Sequence, residues 1–428
     1  METHIATNGS SLQERVERMK AAMPEKGLFA DKQWRVGLEP LSISEERLDF
    51  LHQLGERLHV FARACNLLYR QSFQGKAPAW VAQWLDAGKP RDLIELSRCK
   101  ALKNQLPVVI RPDLIMTEEG WALTEIDSVP GGVGLMAWLN QTYSQEGFKV
   151  IGSSEGMLHA VKAMFPRGDV VIAEEALDYE PEWQWLVGAE RVKRAETYQL
   201  SDQPVYRFFE AFDWDRLHSM KQTWSADIQM TPPLKPFLEE KLWLAFLWMK
   251  PLEDFWMREL GRLYFRDLRN IVPYSWVVHP TALPPHAVLP GLGVHSWEEV
   301  TRFSQKQRQL ILKISGFSPL AWGSRGVTLG SDVSGDAWKM ALQQALNSFE
   351  KNPYILQRYE KGAQIEVSFW DDTQQTERVM QGRARICPYY FVQGEEVSLQ
   401  GIKATVCPAD KKLIHGMRDA VIVPLMQQ

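Results

Sequence analysis

The stretch RPDLIMTEEGWALTEID, residues 111–127, sets Arg111, Asp113, Glu125 and Asp127 on two apolar runs joined by Glu118-Glu119-Gly120. Val108 to Met116 is aliphatic, and Trp121 to Asp127 alternates large with polar side chains, so both read as strands of one hairpin. If Thr117 faces Trp121, Asp113 lies opposite Glu125 and Arg111 opposite Asp127, and opposed residues project to the same side of a sheet. All four charges then converge. Three carboxylates need more compensation than one arginine supplies, and Mg²⁺ suits them because it takes one or two carboxylates with waters and substrate phosphates. The alternative is a solvated face with a cross-strand Arg111–Asp127 pair, which is common on surfaces and contributes little.

SVPGGVGL, 128–135, leaves the acidic strand directly. It is either a flexible turn or a loop whose backbone amides meet an anion. Ser128, Gly131 and Gly132 are its candidate substrate contacts.

A second constellation is LILKISGFSPLAWGSRGVTLG, 310–330, where a short aliphatic strand carries Lys313 into a serine- and glycine-rich loop with Arg325. It matches neither the Walker pattern nor GxGxxG. A lysine beside a loop of small residues still suits phosphate, through the ammonium and close backbone N–H groups; otherwise it is a surface loop beside an ordinary strand lysine. Farther on, YILQRY and QIEVSFW read as strands, and in RVMQGRARICPYYF the side chains of Gln381, Arg383 and Arg385 share one face. Arginines there would balance the acidic hairpin or clamp phosphate.

The elements that must position these groups follow from pattern. Residues 1 to about 105 read as mainly helical: Ser42 and Glu45 suggest a capping box, and Leu48, Leu51, Leu54, Leu58, Phe61, Cys65 and Leu68 recur as one apolar stripe. Trp80 and Trp84 mark a shorter helix that Gly88 ends. Residues 149–228 alternate strands and helices, which implies a small parallel α/β domain with ligands beyond the strand carboxyl ends, where Glu174 and Glu175 sit. Residues 106–148 hold the acidic hairpin and glycine-rich turn, and 229–428 the lysine strand and the remaining lobes. The segment from Phe237 to Leu268 reads as long and helical, and the C-terminus as a strand followed by a helix.

With 428 residues, 45% hydrophobic and 24% charged, the chain has the composition of a multidomain globular protein. Its net charge of −4 offers no general attraction to nucleic acid or anionic lipid. The four cysteines lack zinc-like spacing and read as reduced thiols, the N-terminus is polar, and no apolar run is long enough to span a bilayer, so a cytoplasmic address is expected. The 17 tryptophans are scattered and read as core.

Taken together, RPD at 111–113, TEIDSVPGG at 124–132, LKISGFSPLAWGSRGV at 312–327 and YILQRY at 354–359 resemble the circularly permuted ATP-grasp family that includes glutathionylspermidine synthetase-like proteins. The resemblance covers residues 105 to the C-terminus. It implies an α/β ATP-grasp fold and an ATP- and Mg²⁺-dependent ligase that joins a small-molecule or peptide carboxylate to an amine through an acyl phosphate. It assigns Arg111 to the transferring phosphate, and Asp113, Glu125 and Asp127 to Mg²⁺, with Asp127 where the family commonly has asparagine. Lys313, Ser318, Gly323, Ser324 and Gly326 fall to the nucleotide phosphates and covering loop, and Gln357 to the adenine hinge. Arg266 or Arg269 would stand in for a second phosphate-binding lysine. A non-catalytic nucleotide scaffold and a phosphotransferase are the rival readings. Oligomeric state is not legible.

Overall fold

The computed structural model describes residues 11–428 apart from 31–33, 128, 226, 285, 322–324 and 415–418, and apart from the side chains of Leu28 and Ala30. In chain order the strands are β1 (Arg35–Val36), β2 (Leu41–Ile43), β3 (Val109–Met116), β4 (Trp121–Asp127), β5 (Asp169–Ile172) and β6 (Val192–Arg194). Next come β7 (Val205–Phe208), β8 (Met230–Thr231), β9 (Ser275–Val277), β10 (Leu310–Ile314) and β11 (Val327–Leu329). The last are β12 (Tyr354–Arg358), β13 (Ile365–Asp371), β14 (Thr376–Gln393), β15 (Glu396–Pro408) and β16 (Val421–Gln427).

Three sheets result, and the class is mixed α/β. The largest runs β1-β16-β15-β14-β3-β4, with β13 added on β14 and β2 on β16. A second, antiparallel sheet runs β11-β10-β12-β9, and a parallel one runs β6-β5-β7-β8. The parallel sheet is the α/β unit expected between residues 149 and 228, although KVIG contributes only an isolated bridge from Val150 to Met426.

The N-terminal apolar stripe forms one helix, Glu45–Phe73, and Leu48, Leu51, Leu54, Leu58, Phe61, Cys65 and Leu68 are all buried along it. Each such side chain removes about 2 kcal/mol worth of apolar surface from water. Its N-cap is Ser44, without a side-chain cap bond, and Ser42 lies in β2 instead of a capping box. The N-terminal region is not helical alone, since β1 and β2 pair in parallel with β16. Helix Ala79–Asp86 ends before Gly88 at φ +71°, and a Cβ there would fall 1.9 Å from the Lys351 carbonyl oxygen, so glycine lets this corner touch the β9–β12 lobe.

Two expected elements differ. The Phe237–Leu268 segment breaks into short turns of helix and a helix Glu253–Ile271 that kinks at Gly261. Beyond β15 the described residues hold strand β16 where the helix is expected to end, with Val421, Ile422, Val423 and Leu425 buried in the sheet, while residues 415–418 of that expected helix lie outside the described residues. Trp183, Trp214, Trp256 and Trp338 are fully buried, in keeping with a core role.

The ladder between β3 and β14 pairs Ile386 with Leu114 and Tyr390 with Ile110, and is interrupted between them. That register sets Pro112 opposite Pro388, and neither has an N–H to donate. The interruption lies where Arg111, Asp113, Cys387 and Tyr389 flank the two prolines. Among the described residues no helix is long and apolar enough to cross a membrane.

Candidate active site

A cavity of about 820 Å³ is bordered by all three sheets. Its floor is one face of the large sheet. Along one row the register carries Asp127 on β4 to Arg111 on β3; along the next, Glu125 faces Asp113, and Cys387 on β14 faces Lys403 on β15; along a third, Arg385 faces Thr405. The strand alternation that keeps Leu114, Ile386 and Ala404 in the core turns these residues to the cavity side.

The hairpin opposes the expected pairs, Asp113 with Glu125 and Arg111 with Asp127, but by a different route. Met116, not Thr117, faces Trp121, and a bulge at Thr124 restores the register. The bulge frees a carbonyl. The Lys313 ammonium donates to the Thr124 carbonyl at 3.0 Å, and the Thr124 hydroxyl donates to the Asp113 carbonyl at 3.0 Å.

Asp113 is 5% exposed and fully engaged. Its Oδ1 lies 3.2 Å from Arg111 Nε and 3.4 Å from the Cys387 thiol, and its Oδ2 lies 3.1 Å from Arg385 Nη1. Burial alone would raise its pKa, but Arg111 and Arg385 outweigh it and hold the carboxyl at about 2. Asp127 forms an ion pair with Arg111 Nη2 at 2.9 Å and accepts from the Val129 amide at 2.9 Å, and burial moves its pKa upward despite Arg111. Glu125 pairs with Lys241 Nζ at 2.7 Å.

The three expected metal carboxylates line one cavity but have different partners. Among the described residues no group of three metal-ligating side chains is arranged around a common point. Asp113 faces two arginines and a thiol. The side chains of Glu125 and Asp127 are 38% and 26% exposed and face the cavity. They fit Mg²⁺ held by one or two carboxylates together with substrate phosphates.

The second lysine is corrected. Arg266 is exposed and pairs with Asp267, while Arg269 stacks on Trp248 and Phe265. Instead Lys241, just before helix Leu242–Phe246, enters the cavity beside Lys313. Glu240 and Lys89 form an ion pair with both side chains fully buried, and the Leu242 amide donates to the Ser315 hydroxyl at 3.0 Å. These contacts fasten the lysine to the exit of β10. Glu125 keeps Lys241 charged against burial, whereas burial lowers Lys313 to about 8.

Gln357 is fully buried; its Oε1 accepts from Lys313 at 2.8 Å, and its Nε2 donates to the Ser275 hydroxyl at 3.0 Å. It borders the cavity as the support of Lys313. Ser318 and Gly326 flank the cavity wall formed by Pro319, Ala321, Arg325 and Val327 without lining it, and the Gly326 carbonyl accepts the Ile314 amide. Gly323, Ser324 and Ser128 lie outside the described residues.

Gly131 and Gly132 line the cavity. The Gly131 carbonyl accepts from Arg111 at 3.0 Å and from the Tyr389 hydroxyl at 2.9 Å. Gly132, at φ +80°, leads into helix Val133–Gln145, whose first amides are bonded by Glu182: Gly132 N–H at 3.1 Å and Leu135 N–H at 2.7 Å. The anion at this helix end belongs to the protein itself. Burial raises Glu182 to about 7.

Sequence reasoning missed Lys241, Glu182, Glu210 and Lys403. Lys403 has one signal, a single cation inside an otherwise apolar strand (GIKATV), and Lys241 a cation directly before an apolar helix (KLWLAF). Glu210 follows β7 and borders the cavity with Glu175, which pairs with Arg216; burial, Glu239 and Asp127 push Glu210 well above its ordinary pKa.

No family model and no curated protein matches the chain. Among solved structures, a glutathione synthetase-like effector (GSS30) from Globodera pallida, in apo form, aligns with a TM-score of 0.53 over 97% of each chain at 11% identity. The two chains share a fold. A chain from Methylobacillus flagellatus KT named "Putative gamma-glutamylcysteine synthetase" aligns over 85% of this chain and 88% of its own, at 12% identity and a TM-score of 0.38, too low to bear on the site.

Proposed function

We propose that the protein is an ATP-grasp ligase in the permuted arrangement, acidic hairpin before lysine strand, which joins a carboxylate to an amine at the expense of ATP. One observation carries the reading: Lys241, Lys313, Arg111 and Arg385 converge with Glu125 and Asp127 in a single cavity. The fold shared with a glutathione synthetase-like protein supports it.

In this reading Lys313, oriented by Gln357, and Lys241 take the nucleotide phosphates, displacing the Thr124 carbonyl and Glu125 as their partners. Glu125 and Asp127 would hold Mg²⁺, which neutralises phosphate charge. Arg111 is anchored by Asp113 and by the Gly131 carbonyl, and its Nη2, which pairs with Asp127, would turn to the transferring phosphoryl group as Asp127 takes up the metal. A carboxylate oxygen of the acid attacks the γ-phosphorus; the bond to ADP breaks and an acyl phosphate forms. The amine nitrogen then attacks the acyl carbon, the C–O bond to phosphate breaks, and the amine proton leaves with the departing phosphate. Pro319, Ala321 and Arg325 belong to the loop that would exclude water from the acyl phosphate.

The test incubates the protein with Mg-ATP and a matrix of acids and amines, following ADP release and product mass. An amide formed with stoichiometric ADP and lost in Lys313→Ala supports the ligase. A stable phosphorylated acid would make the protein a phosphotransferase, and ADP release that survives Lys313→Ala would overturn the site.

A further inference from the structure

Lys403 is 5% exposed, lines the cavity, and has no hydrogen-bond or ion-pair partner among the described residues. Its ammonium lies 5.8 Å from the Tyr389 ring centroid and occupies the space Gly132 leaves: a Cβ on Gly132 would fall 2.5 Å from it. An ammonium that reaches a polar cavity without a partner is available to an anion. Glu182 is near enough to favour its charge, while the Glu182 oxygens are bonded by the amides of Gly132 and Leu135. Nearby, Arg385 gives Nη1 to Asp113 while its buried Nε has no hydrogen-bond partner, and Thr405 lies directly opposite it in the ladder. Two cations with unused donors thus face one corner of a polar cavity.

Lys403 is remote from the Lys241 end of the cavity. Glu125, which holds Lys241, lies on β4; Lys403 lies on β15, with β3 and β14 between. Three strand spacings of about 4.8 Å separate them by roughly 14 Å. One phosphoryl group cannot span that distance.

We propose that Lys403, Arg385 and Thr405 form an oxyanion subsite, distinct from the nucleotide side, that binds a carboxylate of the acid substrate other than the one activated at Arg111. The assignment to a substrate rests on the ligase reading; the subsite itself does not. The acid is then one that carries a second anionic group, and the subsite fixes its orientation across the floor. Gly132 follows from the same packing, since any side chain there would displace the ammonium.

The test is ligand-observed NMR on the full chain with glutarate, inorganic phosphate and a non-hydrolysable ATP analogue, using wild type, Lys403→Met and Thr405→Val. Lys403→Met keeps the side-chain length, and its folding is checked by thermal melting; Thr405→Val conserves volume and provides a second route. Glutarate binding at least tenfold weaker in Lys403→Met and weaker in Thr405→Val, with analogue affinity held within twofold, is the expected result. Glutarate bound equally by wild type and both variants, or not bound by wild type, overturns the subsite. Equal loss of glutarate and analogue, or phosphate bound in preference to glutarate, assigns Lys403 to nucleotide phosphate and overturns the proposal. Failure of wild type to bind the analogue sinks the ligase reading while leaving the glutarate result to stand by itself.

Discussion

Lys241 and Glu125 are joined by a 2.7 Å ion pair that links the segment leading into helix Leu242–Phe246 to the acidic strand β4. If Lys241 and Glu125 separate to engage phosphate and metal, Glu125→Gln has opposite effects on nucleotide binding with and without Mg²⁺. Affinity for a non-hydrolysable ATP analogue should rise severalfold without metal, because Lys241 is released, and fall about tenfold with Mg²⁺, because a ligand is lost. Calorimetry in the two buffers checks this; a change of the same sign in both would remove Glu125 from the metal.

Asp113 has a structural duty that Glu125 lacks. Asp113→Asn leaves Arg111 and Arg385 without their shared carboxylate, and breaking such a buried group costs on the order of 3 kcal/mol. Glu125, at 38% side-chain exposure, should cost under about 1 kcal/mol when changed to Gln. Denaturant midpoints of the two variants should separate accordingly, and equal midpoints would refute the distinction.

The pH dependence of stability carries the same signature. The folded pKa of Asp113, about 2, is below the ordinary carboxyl value near 3.9, so its contribution is complete above the unfolded pKa and fades as pH falls from about 4 toward 2. Acid titration of wild type should show this loss, and Asp113→Asn should lack it.

Nucleotide affinity should depend on pH at the alkaline side. Burial lowers Lys313 to about 8, so its cation is present below that pH and disappears above it. Analogue affinity should fall by about tenfold per pH unit beyond 8, and Lys313→Arg, permanently charged, should flatten the profile. A flat wild-type profile from pH 7 to 9.5 would exclude Lys313 from the phosphates.

Much of the site was legible because strand alternation is a strict rule: Arg111, Asp113, Glu125 and Asp127 had to share a face, and Arg385 to join them from β14. The hairpin shows the limit. Placing Thr117 opposite Trp121 was off by one residue, and the unseen bulge at Thr124 cancelled the error, since a bulge leaves no local signal in ALTEID. The arginine and thiol partners of Asp113 on β14 are not legible in the sequence, because they are 272 and 274 residues away. Lys241 and Lys403 are not legible for the same reason: a cation at or inside an apolar element is identified only by the remote groups it meets. The C-terminal strand was read as a helix because the buried run at Val421–Leu425 is short, and periodicity alone does not separate the two.

The central claim is that the cavity binds ATP through Lys241 and Lys313. The most direct measurement is calorimetric titration of a non-hydrolysable ATP analogue into wild type and the Lys241→Ala, Lys313→Ala double variant, in Mg²⁺. Binding by wild type that weakens by at least a hundredfold in the variant is the result the account requires; no binding by wild type, or binding that the variant retains, would contradict it.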